Sequence, residues 1–217
     1  MNVRIHKLLS LILAIAMVVG MLPAAIAAEG TADLTINTVE GLQAFVEAVN
    51  GGNTYEGKTV TLAADLNLTD IEWTPIGNGT RSGTSYSGKA FKGTFDGGDY
   101  TISGLTITTT TDKNAAVGLF GVVDGGTVKN LNLTGVNVAV SNSNLMGAAI
   151  GMMLNDATAE KITVSGAVTG YDGVGGIVGR LIISGTIKDC TNNASVTSTY
   201  GGIGGIVGKA YYEDALP

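Results

Sequence analysis

Two short patterns recur along this chain at a spacing of roughly thirty residues, and that repetition restricts the possible folds more than any other feature. The first is a glycine-bracketed landmark: Gly118-Leu119-Phe120-Gly121, Ala148-Ala149-Ile150-Gly151, Gly176-Ile177-Val178-Gly179 and Gly205-Ile206-Val207-Gly208. The final glycines, Gly121, Gly151, Gly179 and Gly208, keep nearly equal intervals. The second is a strand template. Thr101-Ile102-Ser103-Gly104-Leu105-Thr106-Ile107 returns one unit later as Thr127-Val128-Lys129-Asn130-Leu131-Asn132-Leu133. It returns again from Thr158 to Val164, and once more from Thr186 to Asn192. Two landmarks keeping one period describe a solenoid, in which each unit packs only on its neighbours.

Inside a unit, Leu131, Leu133, Val136 and Val138 alternate with polar residues, the period of a half-buried strand. No unit has room for a helix, so the expected fold is all-β: a parallel β-helix, right-handed because parallel crossovers are. Stacking by the template puts Ile102, Val128, Ala159 and Ile187 in one interior column. Leu105, Leu131, Ile162 and Cys190 fall in the next. Ahead of the repeats, Val39, Leu42, Phe45, Val46 and Val49 keep helical spacing, with Thr38 able to cap the start and Asn50-Gly51-Gly52 to stop it. That predicts a short capping α-helix over about 39–50, laid on the first coil as a lid. Residues 58–68 read as the first strands, and the Gly/Ser/Thr-rich stretch 77–89 as the longest loop.

The N-terminus reads as a leader. Arg4 and Lys7 precede an apolar run from Leu8 to Leu22, too short for the roughly 20 residues that cross a bilayer. Ala25-Ile26-Ala27 supplies the small residues of a signal-peptidase site, so 1–27 is expected to be a signal peptide and the rest secreted or at the cell surface. No second apolar stretch of spanning length follows, so no membrane span is expected after cleavage. Cleavage removes two bases and no acid, making the full chain's formal net charge of −6 more negative still. A chain so charged repels nucleic acid. The lone histidine, His6, leaves with the leader, which excludes Ser-His-Asp and Cys-His nucleophiles and histidine-built metal sites from what remains. The reading assigns no catalytic residue, no metal and no cofactor.

Several residues have both a chemical and a structural reading. Asp96, Asp99, Asp112 and Asp124 can line a groove on a β-helix as acid/base groups, but Asp96-Gly97-Gly98-Asp99 and Asp124-Gly125-Gly126 have the composition of tight turns. Cys190 holds a template position filled elsewhere by Leu or Ile, which makes it a buried hydrophobe rather than a nucleophile. Aromatic side chains on a flank can stack on sugar rings or dock a partner, and Trp73, Tyr86, Tyr171 and Tyr200 form the candidate ligand-contact surface. Tyr171 and Tyr200 lie one repeat apart, each just before a landmark, which predicts a stacked pair on one edge.

The glycine landmarks, each followed by a Thr-Ile/Val-Lys-Asn/Asp-Leu/Cys strand, resemble the GLUG repeat. The lead-in Trp73-Thr74-Pro75-Ile76-Gly77 and the run from Phe91 to Ile102 are similar to the segment found ahead of such repeats. Ala148 departs by replacing the first glycine of its landmark. The resemblance covers about residues 34–209 and implies a module of large secreted or cell-wall bacterial proteins, adhesin-like ones and the non-catalytic regions of immunoglobulin A metallopeptidases among them. It implies a non-catalytic adhesin or spacer whose partner is a glycan or a host or bacterial surface protein. The alternative is a carbohydrate-active β-helix enzyme. The expected organisation is a leader over 1–27, a cap region over 28–57 and a β-helix over 58–217. Its last coil is never closed, so more polypeptide is expected beyond Pro217.

Overall fold

A computed structural model describes residues 33–110 and 112–211; the proposed leader lies outside the described residues. The chain opens with β1 (Leu34–Ile36), α1 (Val39–Asn50), β2 (Thr59–Leu62), β3 (Leu66–Asn67), β4 (Thr80–Ser82) and β5 (Ser85–Ser87). There follow β6 (Thr94–Asp96), β7 (Thr101–Ser103), β8 (Thr106–Ile107), β9 (Phe120–Asp124), β10 (Thr127–Val140), β11 (Met146–Gly147) and β12 (Ile150–Leu154). It closes with β13 (Ala157–Gly170), β14 (Val174–Gly175), β15 (Val178–Ile182), β16 (Gly185–Lys188), β17 (Thr191–Ser198), β18 (Ile203–Gly204) and β19 (Val207–Tyr211).

These strands coil into a parallel β-helix of about six turns. One face stacks in the order β1-β2-β6-β10-β13-β16, a second runs β9-β12-β15-β19, and a third, short face holds β11-β14-β18. Each strand pairs in parallel with its equivalent one coil away, as the repeat predicts. Corners recur with the coils. Asn130, Lys161 and Asp189 all adopt positive φ at the same template position, bending each coil between its Val128-type and Leu131-type positions. The landmark glycines have a different cause. A Cβ on Gly121, Gly151, Gly179 or Gly208 would fall within 3.0 Å of backbone atoms of a neighbouring turn, because two faces meet there at an inner corner.

The interior columns follow the template from β10 onward: Val128 pairs with Ala159 and Ala159 with Ile187, while Leu131 pairs with Ile162. One coil earlier the predicted register is wrong. Phe95, not Ile102, lies beside Val128, and Ile102 lies beside Leu133. The physical reason is a turn at Gly97–Tyr100, closed by the Tyr100 amide on the Gly97 carbonyl, with Gly98 and Asp99 both at positive φ. That turn gives this coil two more residues between paired positions than β10 has. Asp124-Gly125-Gly126 is not the same turn one coil on, since Asp124 ends β9 and pairs with Leu154.

The N-terminal end is closed as the sequence suggests. Thr38 caps α1 by accepting from the Gly41 amide at 3.0 Å, and Leu42, Phe45, Val46 and Val49 are buried. Phe45 packs on Phe91 and Phe95, with ring centroids 5.6 and 6.0 Å away. Asn50 accepts from the Gly77 and Asn78 amides and donates to the Pro75 carbonyl, satisfying backbone that has no coil beyond it. Two features differ from expectation. The segment read as cap contains β1, itself the first strand of the stack. The 77–89 stretch is an antiparallel hairpin, β4–β5, rather than a loop.

Candidate functional site

The hairpin owes its position to the second face. Val122, Met152, Arg180 and Lys209 are register partners on β9, β12, β15 and β19. The apolar half of this column, with Ala90, Ala116, Leu145, Leu154 and Ile182, forms a small core of its own against which Tyr86 packs. Tyr86 then donates to Asp124 at 2.9 Å, and the same carboxylate takes Lys92 at 2.9 Å and the Asn155 amide at 2.7 Å. Asp124 is 8% exposed. Burial alone would raise its pKa, but Lys92, Asn155 and Tyr86 together hold it below the usual carboxylate value. Tyr86, by burial and by the adjacent carboxylate, is pushed up to about 12.

Asp96, Asp112 and Glu72 are likewise engaged in structural bonds. Asp96 accepts from the Gly98 amide, Asn130 and Lys129. Asp112 accepts from the Asn114 amide at 2.8 Å, and Glu72 takes the amides and hydroxyls of Thr108 and Thr109. Asp99 is a turn residue at positive φ. Asp96 sits on the first face and Asp124 on the second. Cys190 packs against the core, and burial raises its thiol pKa.

The four aromatic candidates separate. Trp73 is not on the surface: it is 4% exposed and its indole donates to the Leu119 carbonyl at 3.1 Å. Its indole must find a partner once the ring fills the core beneath α1, and the lead-in segment gives no period by which to place it. Tyr86 is spent on Asp124. Tyr171 and Tyr200 do stack, ring centroids 4.9 Å apart and 15° from parallel, and are 38% and 73% exposed. The pair is held from below by a backbone ladder in which the Tyr200 amide donates to the Tyr171 carbonyl and Ser198 Oγ ties the Tyr171 and Gly201 carbonyls.

Next to this pair lies a group of residues that the sequence reading missed. Asp172 follows Tyr171, is 9% exposed and is bound by Lys209. Arg180, 3% exposed, stands one coil before Lys209 in the same column. The Tyr211 ring lies 4.8 Å from the Arg180 guanidinium and 5.2 Å from that of Arg81, which comes from the hairpin. A signal was available: Arg180 follows its landmark directly, where the two preceding coils carry Val122 and Met152.

No protein-family profile matches this chain. The chain is 32% identical over 161 residues to halomucin of Haloquadratum walsbyi, a match taking in 72% of this chain and 2% of halomucin, so the chain spans only a small part of that relative. Among solved structures it is similar to a Bacteroides ovatus protein assigned as an immunoglobulin A1 protease. The TM-score is 0.54 at 16% identity, over 83% of this chain and 62% of that one. At such identity the likeness establishes the β-helical fold alone.

Proposed function

We propose that this chain is a non-catalytic, secreted or cell-surface module of the GLUG-repeat kind, whose rigid β-helix presents Tyr171 and Tyr200 to a saccharide. The observation that carries this reading is the exposed, parallel tyrosine pair seated on a fixed backbone ladder. Flat aromatic faces pack on the apolar face of a sugar ring without ordering a flexible loop. The similarity to halomucin, a mucin by name, supports a place outside the cell. The engagement of Asp96, Asp124 and Glu72 in structural hydrogen bonds supports a module without catalysis.

The experiment is direct. Titration of oligosaccharides into the chain is expected to give weak binding that Tyr200→Ala lowers at least tenfold without changing the melting temperature. The same saccharides, incubated for a day, are expected to remain intact. Equal binding by Tyr200→Ala would remove the platform from the reading. Cleavage abolished by Asp96→Asn or Asp124→Asn would replace it with the enzyme reading.

A further inference from the structure

We propose that Arg81, Arg180 and Lys209 form an oxyanion site beside the tyrosine pair, one that takes the carboxylate or sulfate of an acidic saccharide. The inference rests on the saccharide reading above and extends it from sugar rings in general to charged ones.

The first argument is the unmatched charge. Among the described residues, neither Arg81 nor Arg180 has a carboxylate within ion-pair distance. The nearby acid, Asp172, is already bound by Lys209. Three bases therefore face one acid, in a chain whose net charge is −6. Burying a guanidinium is costly unless a counter-charge and hydrogen bonds compensate it. Arg180 is nonetheless 3% exposed.

The second argument is the set of unsatisfied atoms. Four buried side-chain polar atoms among the described residues lack a hydrogen-bond partner: Nε of Arg81, Nε of Arg180, Oδ1 of Asn144 and Oδ1 of Asp172. They belong to one neighbourhood. Asn144 donates to Asn114, whose carbonyl takes the Arg81 amide; a Cβ placed on Gly173, the residue after Asp172, would meet both the Asn144 carbonyl and an Arg180 nitrogen. Buried polar groups are otherwise almost always paired, so four orphans together mark a missing partner. Two are donors on planar cations, whose forks match the paired oxygens of carboxylate or sulfate. The other two are acceptors, which suit sugar hydroxyls and would repel a bare inorganic anion.

The third argument is the arrangement of the cations. Burial, and after it the charge of Arg81, lower the pKa of Arg180 against the opposing influence of the Tyr211 hydroxyl and Asp172, so the two guanidiniums, both beside the Tyr211 ring, repel each other. An anion bridging them converts that repulsion into attraction. Asp172, which Lys209 binds, is next in the chain to Tyr171, so this ion pair adjoins the tyrosine pair. Nucleic acid, the other polyanion with rings to stack, is disfavoured by the overall negative charge.

The test compares hyaluronan, heparan sulfate and neutral cello-oligosaccharides by calorimetry, with sodium sulfate alone as a further arm. The acidic saccharides are expected to bind at least tenfold more tightly than the neutral ones, with affinity falling as salt rises, and sulfate alone more weakly than either polymer. Arg180→Met, whose new side chain continues the column begun by Val122 and Met152, is expected to abolish that preference while leaving neutral binding intact. Arg81→Met, on the hairpin, gives the same readout if Arg180→Met does not fold. Undiminished preference for acidic saccharides in both variants would overturn the site and leave the tyrosine reading standing. Absence of any saccharide binding would overturn both. Anion binding seen only after Glu213→Gln with Asp214→Asn would assign the cations to the chain's own acidic tail and overturn the proposal.

Discussion

At the scale of single residues, the repeat acts as an internal control on backbone strain. Asn130, Lys161 and Asp189 occupy one corner in successive coils, all at positive φ between 50° and 55°. Asn and Asp tolerate that region because a short polar side chain bonds locally there; a lysine does not share this advantage. Lys161 is exposed and its side chain forms no ion pair among the described residues, so little holds it in place except the corner itself. Lys161→Asn is therefore expected to stabilise the fold by about 0.5–1 kcal/mol. Thermal unfolding checks this, and a lowered midpoint would show that the lysine contributes something the corner geometry does not reveal. The landmark glycines follow the opposite logic, for there space rather than φ is limiting and no substituent fits.

At the scale of elements, the β4–β5 hairpin stands apart, joined to the coil by Tyr86, Asp124 and the small core beneath them. Its pH response has a definite sign on both sides. Tyr86 titrates at about 12 in the folded chain against about 10 unfolded. A raised pKa contributes stability that is complete below pH 10 and is lost as pH climbs toward 12. Asp124 is depressed, so its contribution is complete above about pH 4 and lost as pH falls through the folded value. Tyr86→Phe is expected to abolish one late-titrating tyrosine from the tyrosinate absorbance, leaving Tyr55, whose pKa burial also raises. An unchanged alkaline titration would mean the hairpin is not pinned this way. This element also shows where the sequence was legible and where it was not. The coil, the helix with its Thr38 cap and the Tyr171–Tyr200 stack were all readable because each follows a local rule or the period of the repeat. The hairpin, the burial of Trp73 and the Arg81–Arg180 group lie outside that period. Their partners are set by which faces meet in three dimensions, and the extra turn at Gly97–Tyr100 broke the register at the point where the repeats begin.

At the scale of the whole β-helix, the two ends are unlike, and the difference predicts how copies of the chain meet. The N-terminal end is sealed: α1 buries its apolar face there, Asn50 satisfies the exposed backbone, and β1 offers an edge of only three residues. Along the first face, Asp96, Lys129, Glu160 and Lys188 alternate in sign from one coil to the next, so stacking in register is favoured and the column ends on a cation. The C-terminal coil has no such seal among the described residues. Ile187, Val196, Ile206 and Val207, whose counterparts one coil earlier are fully buried, are only partly covered, and Ile203 and Tyr200 are 56% and 73% exposed. Among the described residues, β16, β17 and β19 also pair on one side only, which leaves a row of backbone groups as the template on which edges associate. Head-to-tail growth needs an open N-terminal end, which α1 denies. Association is therefore expected to be isologous, C-terminal coil against C-terminal coil, and to stop at two copies. Sedimentation equilibrium of residues 28–217 is expected to fit a monomer–dimer equilibrium at micromolar concentration. Appending a capping coil with a polar outer face is expected to return the monomer. Higher polymers growing with concentration would show that α1 does not close its end, and a concentration-independent monomer would show that the last coil is sealed after all.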